Sequence, residues 1–300
     1  MQNSIDNSYD IDARHVRQAF NIAAKNYDAF SLLQQTVADR LIESFEYIKT
    51  RPSAILDLGS GTGYGARLLK RQFKKAQIYQ LDLSVEMLKN SRKQASRFFS
   101  KDHFLCADAN QIPAADNSFD LVFSSLMLQW CNDPDAVFAE IKRVLKPGGV
   151  FLFTSFGPDT LQELRESWRR VDDDVHINAF ADMHDIGDSL IRNGMDAPVL
   201  TIENMVLTYD ECKQLMRELK NIGAHNVNNG RRKTLTGKKR LQKVIKNYES
   251  YRQDNKLPAT YEVIYGHAWK SESDKNNKNS NSQSVSLEDL KRDLEKRKAK

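Results

Sequence analysis

Apolar residues recur at two periods along this chain, and the change of period marks its elements. Val16, Ala19, Phe20, Ala23, Ala24 and Tyr27 fall at i, i+3, i+4 and i+7 spacing, which puts them on one face of a helix. Leu33, Val37, Leu41 and Phe45 make a second such stripe, so residues 1–50 are expected to form a helical cap. The period then shortens. Ile55, Leu56 and Leu58 form a short apolar run of the kind a buried parallel strand needs. Further runs stand at Ile78, Tyr79 and Leu81, at 104–107, at 119–123 and at 150–154, separated by helical stretches. This alternation predicts an α/β fold with a doubly wound, mostly parallel sheet.

The last of those helical stretches covers Asp135 to Leu145, with Val137, Phe138, Ile141 and Val144 on one face. Its end is written in LKPGG at 145–149, because Pro147 disfavours continuation and the glycines allow a turn into the strand 150–154. From Phe156 the alternation breaks. A helical stripe of Leu161, Leu164 and Trp168 is followed by the acidic run Asp172–Asp174 and then His176, Asn178 and Phe180, which predicts a lid inserted over about 156–182. A helix at Ile186–Asn193, an apolar run at Val199–Leu207, a helix at Asp210–Ile222 and a run at Tyr261–Trp269 complete seven expected strands in a domain spanning 51–270. Residues 271–300 begin with SESDKNNKNSNSQS, which lacks apolar residues and is expected to be a disordered linker. A short helix is expected to follow, capped by Ser286, with Leu287, Leu290 and Leu294 on one face.

The first strand runs into candidate chemistry. AILDLGSGTG at 54–63 ends an apolar run in Asp57 and sets Gly59, Gly61 and Gly63 two apart. Glycines between strand and helix supply positive φ and leave no Cβ in the way of a ligand, while the following helix offers unpaired N–H groups. Two nucleotide-like cofactors use that geometry. Gly61, Gly63 and Ala66 satisfy the GxGxxA spacing of a dinucleotide fold, but Gly61 lies two residues beyond the first glycine. The frame from Gly59 puts Tyr64 where the third small residue belongs, so DxGxGxG fits better. Nineteen residues after Gly63 the second apolar run ends in Asp82, where a carboxylate can accept from both hydroxyls of a ribose.

Composition narrows the class. The 300 residues are 40% hydrophobic, enough to bury a core, and carry a net charge of +5. That charge is mild for a dedicated nucleic-acid binder and suits an acidic macromolecular partner. Cys106, Cys131 and Cys212 form no CxxC and have no neighbouring histidine pair, so neither a disulfide framework nor a metal site is expected. The polar N-terminus and the lack of any 18-residue apolar run predict a cytoplasmic protein that does not cross a membrane.

DxGxGxG with its acidic strand ends resembles motif I of class I S-adenosylmethionine-dependent methyltransferases, and LKPGG resembles a signature of the same superfamily. Within it, LQWCNDP at 128–134, SFGPDTLQELRESW at 155–168, HINAF at 176–180, NIGAHNVNNGRRKTLTG at 221–237 and LPATYEVIYGHAWK at 257–270 resemble the malonyl-acyl-carrier-protein O-methyltransferases of biotin synthesis. The resemblance spans residues 12–270. It implies S-adenosylmethionine as methyl donor, held by Asp57, Gly59, Gly61, Gly63, Asp82, Leu83, Asp108, Ala109 and Ser125, with Asp108 and Ala109 facing the adenine. It also implies methylation of the free carboxylate of a malonyl thioester on an acyl carrier protein, so that chain elongation can lead to pimeloyl methyl ester.

Esterification removes a charge that would be costly in an apolar elongation pocket. A malonyl carboxylate is already ionised at neutral pH and is itself the nucleophile, so no general base is assigned. The site needs donors to grip the carboxylate, and Arg231, His176, His225, Asn178, Arg14 and His15 are the candidates, with Tyr27 expected to close over the cofactor. Arg231, Arg232, Lys233, Lys238, Lys239, Arg240, Lys243 and Lys246 form a basic cluster suited to docking an acidic carrier. Other readings stay open: a methyltransferase for a quinone or another small metabolite, a protein arginine hydroxylase of the complex I assembly factor type, or a non-enzymatic binding module.

Overall fold

The computed structural model describes residues 10–45, 50–95, 102–224, 226–228, 230–231, 234 and 236–272. His225, Arg232 and Lys233 lie outside the described residues, as do residues 273–300 of the linker and helix expected over 271–300. Seven strands, β1 (Ala54–Leu58), β2 (Gln77–Asp82), β3 (His103–Cys106), β4 (Phe119–Ser125), β5 (Leu145–Phe156), β6 (Met195–Tyr209) and β7 (Leu257–Lys270), make one sheet. Their order is β3-β2-β1-β4-β5-β7-β6. The first five run parallel, and β7 lies antiparallel between β5 and β6. This is the expected doubly wound α/β sheet.

Burial explains which runs became which strands. β5 is buried without interruption from Gly149 to Ser155, as a central strand covered on both faces must be. β6 alternates buried or half-buried with exposed positions and stands at the edge, leaving Val199, Ile202 and Val206 exposed. β7 pairs Gly266 with Phe153 of β5, and a Cβ on Gly266 would stand 2.4 Å from the Phe153 ring. Only a glycine lets that ring lie across the neighbouring strand.

Ten helices flank the sheet among the described residues: α1 (Ala13–Ala23), α2 (Tyr27–Phe30), α3 (Leu32–Ser44), α4 (Tyr64–Gln72), α5 (Val85–Gln94), α6 (Pro134–Val144), α7 (Gln162–Arg169), α8 (Met183–Arg192), α9 (Cys212–Asn221) and α10 (Lys238–Tyr248). On one face Leu56, Val122 and Phe151 pack against Phe138 and Ile141 of α6 and Leu190 of α8. On the other, Ile55, Phe123 and Leu152 pack against Leu41 of α3 and Leu69 of α4. A third cluster joins Leu164 of α7, Leu215 of α9, Val244 and Tyr248 of α10 and Val263 of β7.

Several elements differ from the sequence reading, and β6 and β7 begin earlier than expected, at Met195 and Leu257. The first helical stripe breaks after Ala23, and Tyr27 opens the separate α2 beyond a turn. β5 begins at Leu145 rather than 150, because Leu145 already pairs with Phe119 and the KPGG segment passes through a register shift with Gly148 at φ +75°. α10 carries Leu241, Val244, Ile245 and Tyr248 at helical spacing beneath a lysine-rich exterior, and that charge hid its stripe.

β1 connects outward to β2 and β3 on one side, while β4 and β5 build on the other. Loops leaving β1 and β4 at their C-terminal ends therefore part, and a crevice opens at that switch point.

Candidate active site

The loop after β1 is shaped by its glycines. Gly59, Gly61 and Gly63 all hold positive φ, at +78°, +54° and +80°. The N–H groups of Gly59 and Ser60 donate to the Leu81 carbonyl at 2.8 and 3.0 Å, which ties the loop to the end of β2. Gly63 and Gly61 serve different ends. A Cβ at Gly63 would stand 2.0 Å from Ser91 Oγ, whereas one at Gly61 would meet nothing within 4 Å. Gly63 lets the loop pack on α5, and Gly61 faces open space.

Asp82 closes this arrangement from the end of β2. Its Oδ2 accepts from the Gly61 N–H at 2.8 Å and its Oδ1 from the Ser84 N–H at 2.7 Å. Burial pushes its carboxyl up to about 6, against the pull of those two N–H groups. Asp57 lies behind the loop, 2% exposed, with Oδ2 lacking a hydrogen-bond partner. Burial, and then the charge of Asp82, push its carboxyl up to about 7, opposed by the Ala66 N–H and by Arg67. Asp57 does not line the crevice, and its carboxylate accepts from the Ala66 N–H of α4.

The crevice is a cavity of about 1120 Å³. At one end stand Gly59, Gly61, Asp82, Leu83, Asp108 and Ala109; Tyr27 and Ser125 also line the cavity, and Phe156, Leu161, Leu164, Ile177 and Phe180 form apolar walls. α1 covers part of it. Ala13, Val16 and Phe20 face the cavity, and Phe20 meets Trp130 edge-on with centroids 5.2 Å apart. Asn21 of α1 accepts from Ser84 Oγ at 2.7 Å, beside Asp82. Ile11 exchanges two hydrogen bonds with the Asn132 side chain, at 2.7 and 2.8 Å, and bridges to Asn228. Asn132→Ala removes both bonds, worth about 1 kcal/mol each, and is expected to speed tryptic cleavage at Arg14 and Arg17. Unchanged digestion would show that Asn132 does not hold the segment down.

The acceptor candidates separate cleanly. His176 lines the cavity, its ring stacked on Trp168 at 3.6 Å and its Nε2 2.6 Å from Asp172 Oδ1. Asn178 also lines it, 7% exposed, with Oδ1 accepting from Asn228 at 2.9 Å. Tyr27 lies close enough to Asp82 and Asp28 that burial and their charges raise its phenol, which keeps it a proton donor. Arg231 does not reach the cavity. Its guanidinium donates to the Asn228 carbonyl at 2.9 Å and lies 3.3 Å from the His15 ring. Arg14 and His15 sit on the exposed side of α1, because the helix turns residues 13, 16 and 20 inward.

Sequence reasoning passed over Gln34, Gln129 and Lys220. Gln34 and Gln129 line the cavity with Oε1 atoms that lack partners, and Lys220 is the one lysine or arginine among its described lining residues. A lone amide on a helix carries no motif. Ligand atoms of Asp172, Asp174 and His176 lie within 4.8 Å of one another, but Arg240 already bridges the two carboxylates at 3.1 and 3.4 Å.

Residues 56–153 match the protein family described as Methyltransferase domain. The malonyl-acyl-carrier-protein O-methyltransferase of Gallionella capsiferriformans is 47% identical over 269 residues, covering 88% of this chain and 93% of that protein. The chain belongs to this family. Its counterpart in Methylovorus sp. is 48% identical, over 88% of this chain and 90% of the relative. Among solved structures, the YcgJ protein of Bacillus subtilis superposes with a TM-score of 0.57 at 18% identity, covering 78% of this chain and 98% of that one. A Bacillus halodurans protein described as a putative methyltransferase also gives 0.57, at 17% identity over 79% and 99% of the two chains. These two likenesses support the fold. Family membership rests on the near-full-length relatives, whose matches run well beyond the methyltransferase domain.

Proposed function

We propose that this enzyme transfers a methyl group from S-adenosylmethionine to the free carboxylate of a malonyl thioester borne by an acyl carrier protein. The methyl ester would then prime pimeloyl synthesis for biotin. The observation that carries this reading is the identity of 47–48%, over 88% of the chain, to relatives named for that reaction. The residues present fit the donor. Gly61 leaves open space where a ligand approaches the main chain. Asp82 has lone pairs beyond the two given to N–H groups, enough for two ribose hydroxyls. Leu83, Asp108 and Ala109 at the same end would hold the adenine, with Ser125 and Tyr27 towards the transfer point.

When bound, the donor supplies a methyl group on a positively charged sulfur. The acceptor carboxylate is ionised at neutral pH, so the chain need not remove a proton. Its residues align and enclose instead. Attack by carboxylate on that methyl converts two opposite charges into two neutral groups. Apolar walls such as Leu161, Leu164 and Phe180 disfavour separated charges, so they favour the step that removes them. The helices before residue 50 and the insertion at about 156–182 serve in this reading as the cover that keeps water out.

The carrier is acidic in this reading and docks on the basic cluster that includes Lys238, Lys239, Lys243 and Lys246, all exposed or at the surface of α10. Cys106, Cys131 and Cys212 remain thiols, which suits the cytoplasm. Among the described residues no helix is long and apolar enough to cross a membrane. The direct test is incubation with labelled S-adenosylmethionine and malonyl carrier protein, which is expected to give a base-labile methyl ester. No ester on malonyl carrier or malonyl-CoA would sink the reading. The KM for the carrier should rise severalfold as salt is raised from about 0.05 to 0.5 M, since screened charges steer less. A KM independent of ionic strength would remove the basic cluster as the dock.

A further inference from the structure

We propose that Lys220, Thr234 and Thr236 form a portal that receives the phosphate of a phosphopantetheine arm, and that α9 guides the arm inward from there. The inference rests on the malonyl-carrier reading above. The exposed polar residues that line the cavity differ in charge: Asp108 and Asp133 are acidic, whereas Lys220, Thr234 and Thr236 offer one ammonium and two hydroxyls. An anionic arm is repelled by the first group and attracted by the second.

α9 can serve as the guide. Met216, Leu219 and Lys220 line the cavity at i, i+3 and i+4 spacing, so one helix face offers apolar contact inside and a cation at its exposed last turn. A linear arm of methylenes and amides ending in a phosphodiester has the same polarity sequence. None of the ion pairs among the described residues engages Lys220.

The chain just after Thr236 adds an independent feature. α10 starts directly after Thr236 and Gly237 with Lys238, Lys239 and Arg240, and its first turn holds no acidic residue. Cations at the positive end of a helix repel it, a cost that an acidic surface seated there relieves. Arg240 is neutralised by Asp172 and Asp174, which leaves Lys238 and Lys239 exposed beside the portal.

The test compares initial rates on malonyl-phosphopantetheine and on malonyl-pantetheine, which lacks the phosphate, for the full chain and its Lys220→Ala and Lys220→Arg variants. Wild-type protein is expected to show a lower KM for the phosphorylated substrate. Lys220→Ala should raise that KM about fivefold with little change in kcat, so that the KM ratio between the two substrates falls towards one, and Lys220→Arg should restore it. Equal KM changes on both substrates, or none on either, would overturn the portal. Wild-type protein that forms ester from neither substrate nor from malonyl carrier overturns the methyl-transfer reading itself, and the portal with it.

Discussion

Asp82→Asn is expected to weaken binding of S-adenosylhomocysteine about a hundredfold, because two ribose hydroxyls lose a charged acceptor worth roughly 1.5 kcal/mol each. The pH profile makes the prediction specific. Ribose hydroxyls donate to the ionised carboxyl, so a bound nucleoside favours that form. Burial holds the free protein's Asp82 up to about 6, and below that pH the ligand must first displace a proton. Wild-type affinity should therefore fall about tenfold per pH unit below about pH 6 and level off above it. Calorimetric titration from about pH 5 to pH 8 reads the profile, and Asp82→Asn should flatten it. A wild-type affinity that ignores pH over that window would show that Asp82 does not hold the ribose.

The same two acids set a sign for stability. Asp57 and Asp82 are pushed up to about 7 and about 6 from an ordinary 3.8, so both bind protons more tightly folded than unfolded. Their contribution is fully present below the ordinary value and is lost as pH rises through the raised values. The ligand-free protein should lose stability across that window, and a bound nucleoside should offset the loss.

Gly63→Ala and Gly61→Ala should fail in different ways. A Cβ at Gly63 would stand 2.0 Å from Ser91 Oγ and 2.9 Å from Gln80 Oε1, at a φ of +80°. Ser91 already donates to Gln80 at 2.5 Å, so the pair has little room to retreat. We expect a loss of about 3 kcal/mol and a Tm lower by roughly 6–12 °C. At Gly61 nothing lies within 4 Å, so only the φ of +54° is strained, costing about 1 kcal/mol. Its Cβ would instead occupy the space offered to the cofactor, and S-adenosylhomocysteine affinity should drop while the Tm changes little. Equal melting temperatures for the two variants would contradict this division of roles.

The donor end was legible because its requirements are local. Positive φ at alternate positions, an apolar run ending at the loop and an acid at the next strand end are all properties of short contiguous segments. Gly59, Gly61, Asp82, Leu83, Asp108, Ala109 and Ser125 line the cavity together. Asp57 and Gly63 stand behind it, a distinction no spacing encodes, because a residue in a glycine loop can face the ligand or the helix beneath. α7 was legible from the stripe of Leu161, Leu164 and Trp168. α10 was hidden by the lysines that coat it.

By itself the sequence determined the sheet, the nucleotide-like loop and, through resemblance, the reaction class. Tertiary structure alone decided which other polar groups line the cavity. The rest of the cavity wall is assembled from α3, the turn after β4, α7 and α9, with segments near 178 and 234. Each presents one or two side chains whose direction depends on helix rotation and packing. Arg231 stands in a stretch that resembles the family closely, yet its guanidinium turns to His15 and the Asn228 carbonyl. Lys220 belongs to no motif, yet the rotation that buries Leu215 in the third core cluster carries Met216, Leu219 and Lys220 to the cavity.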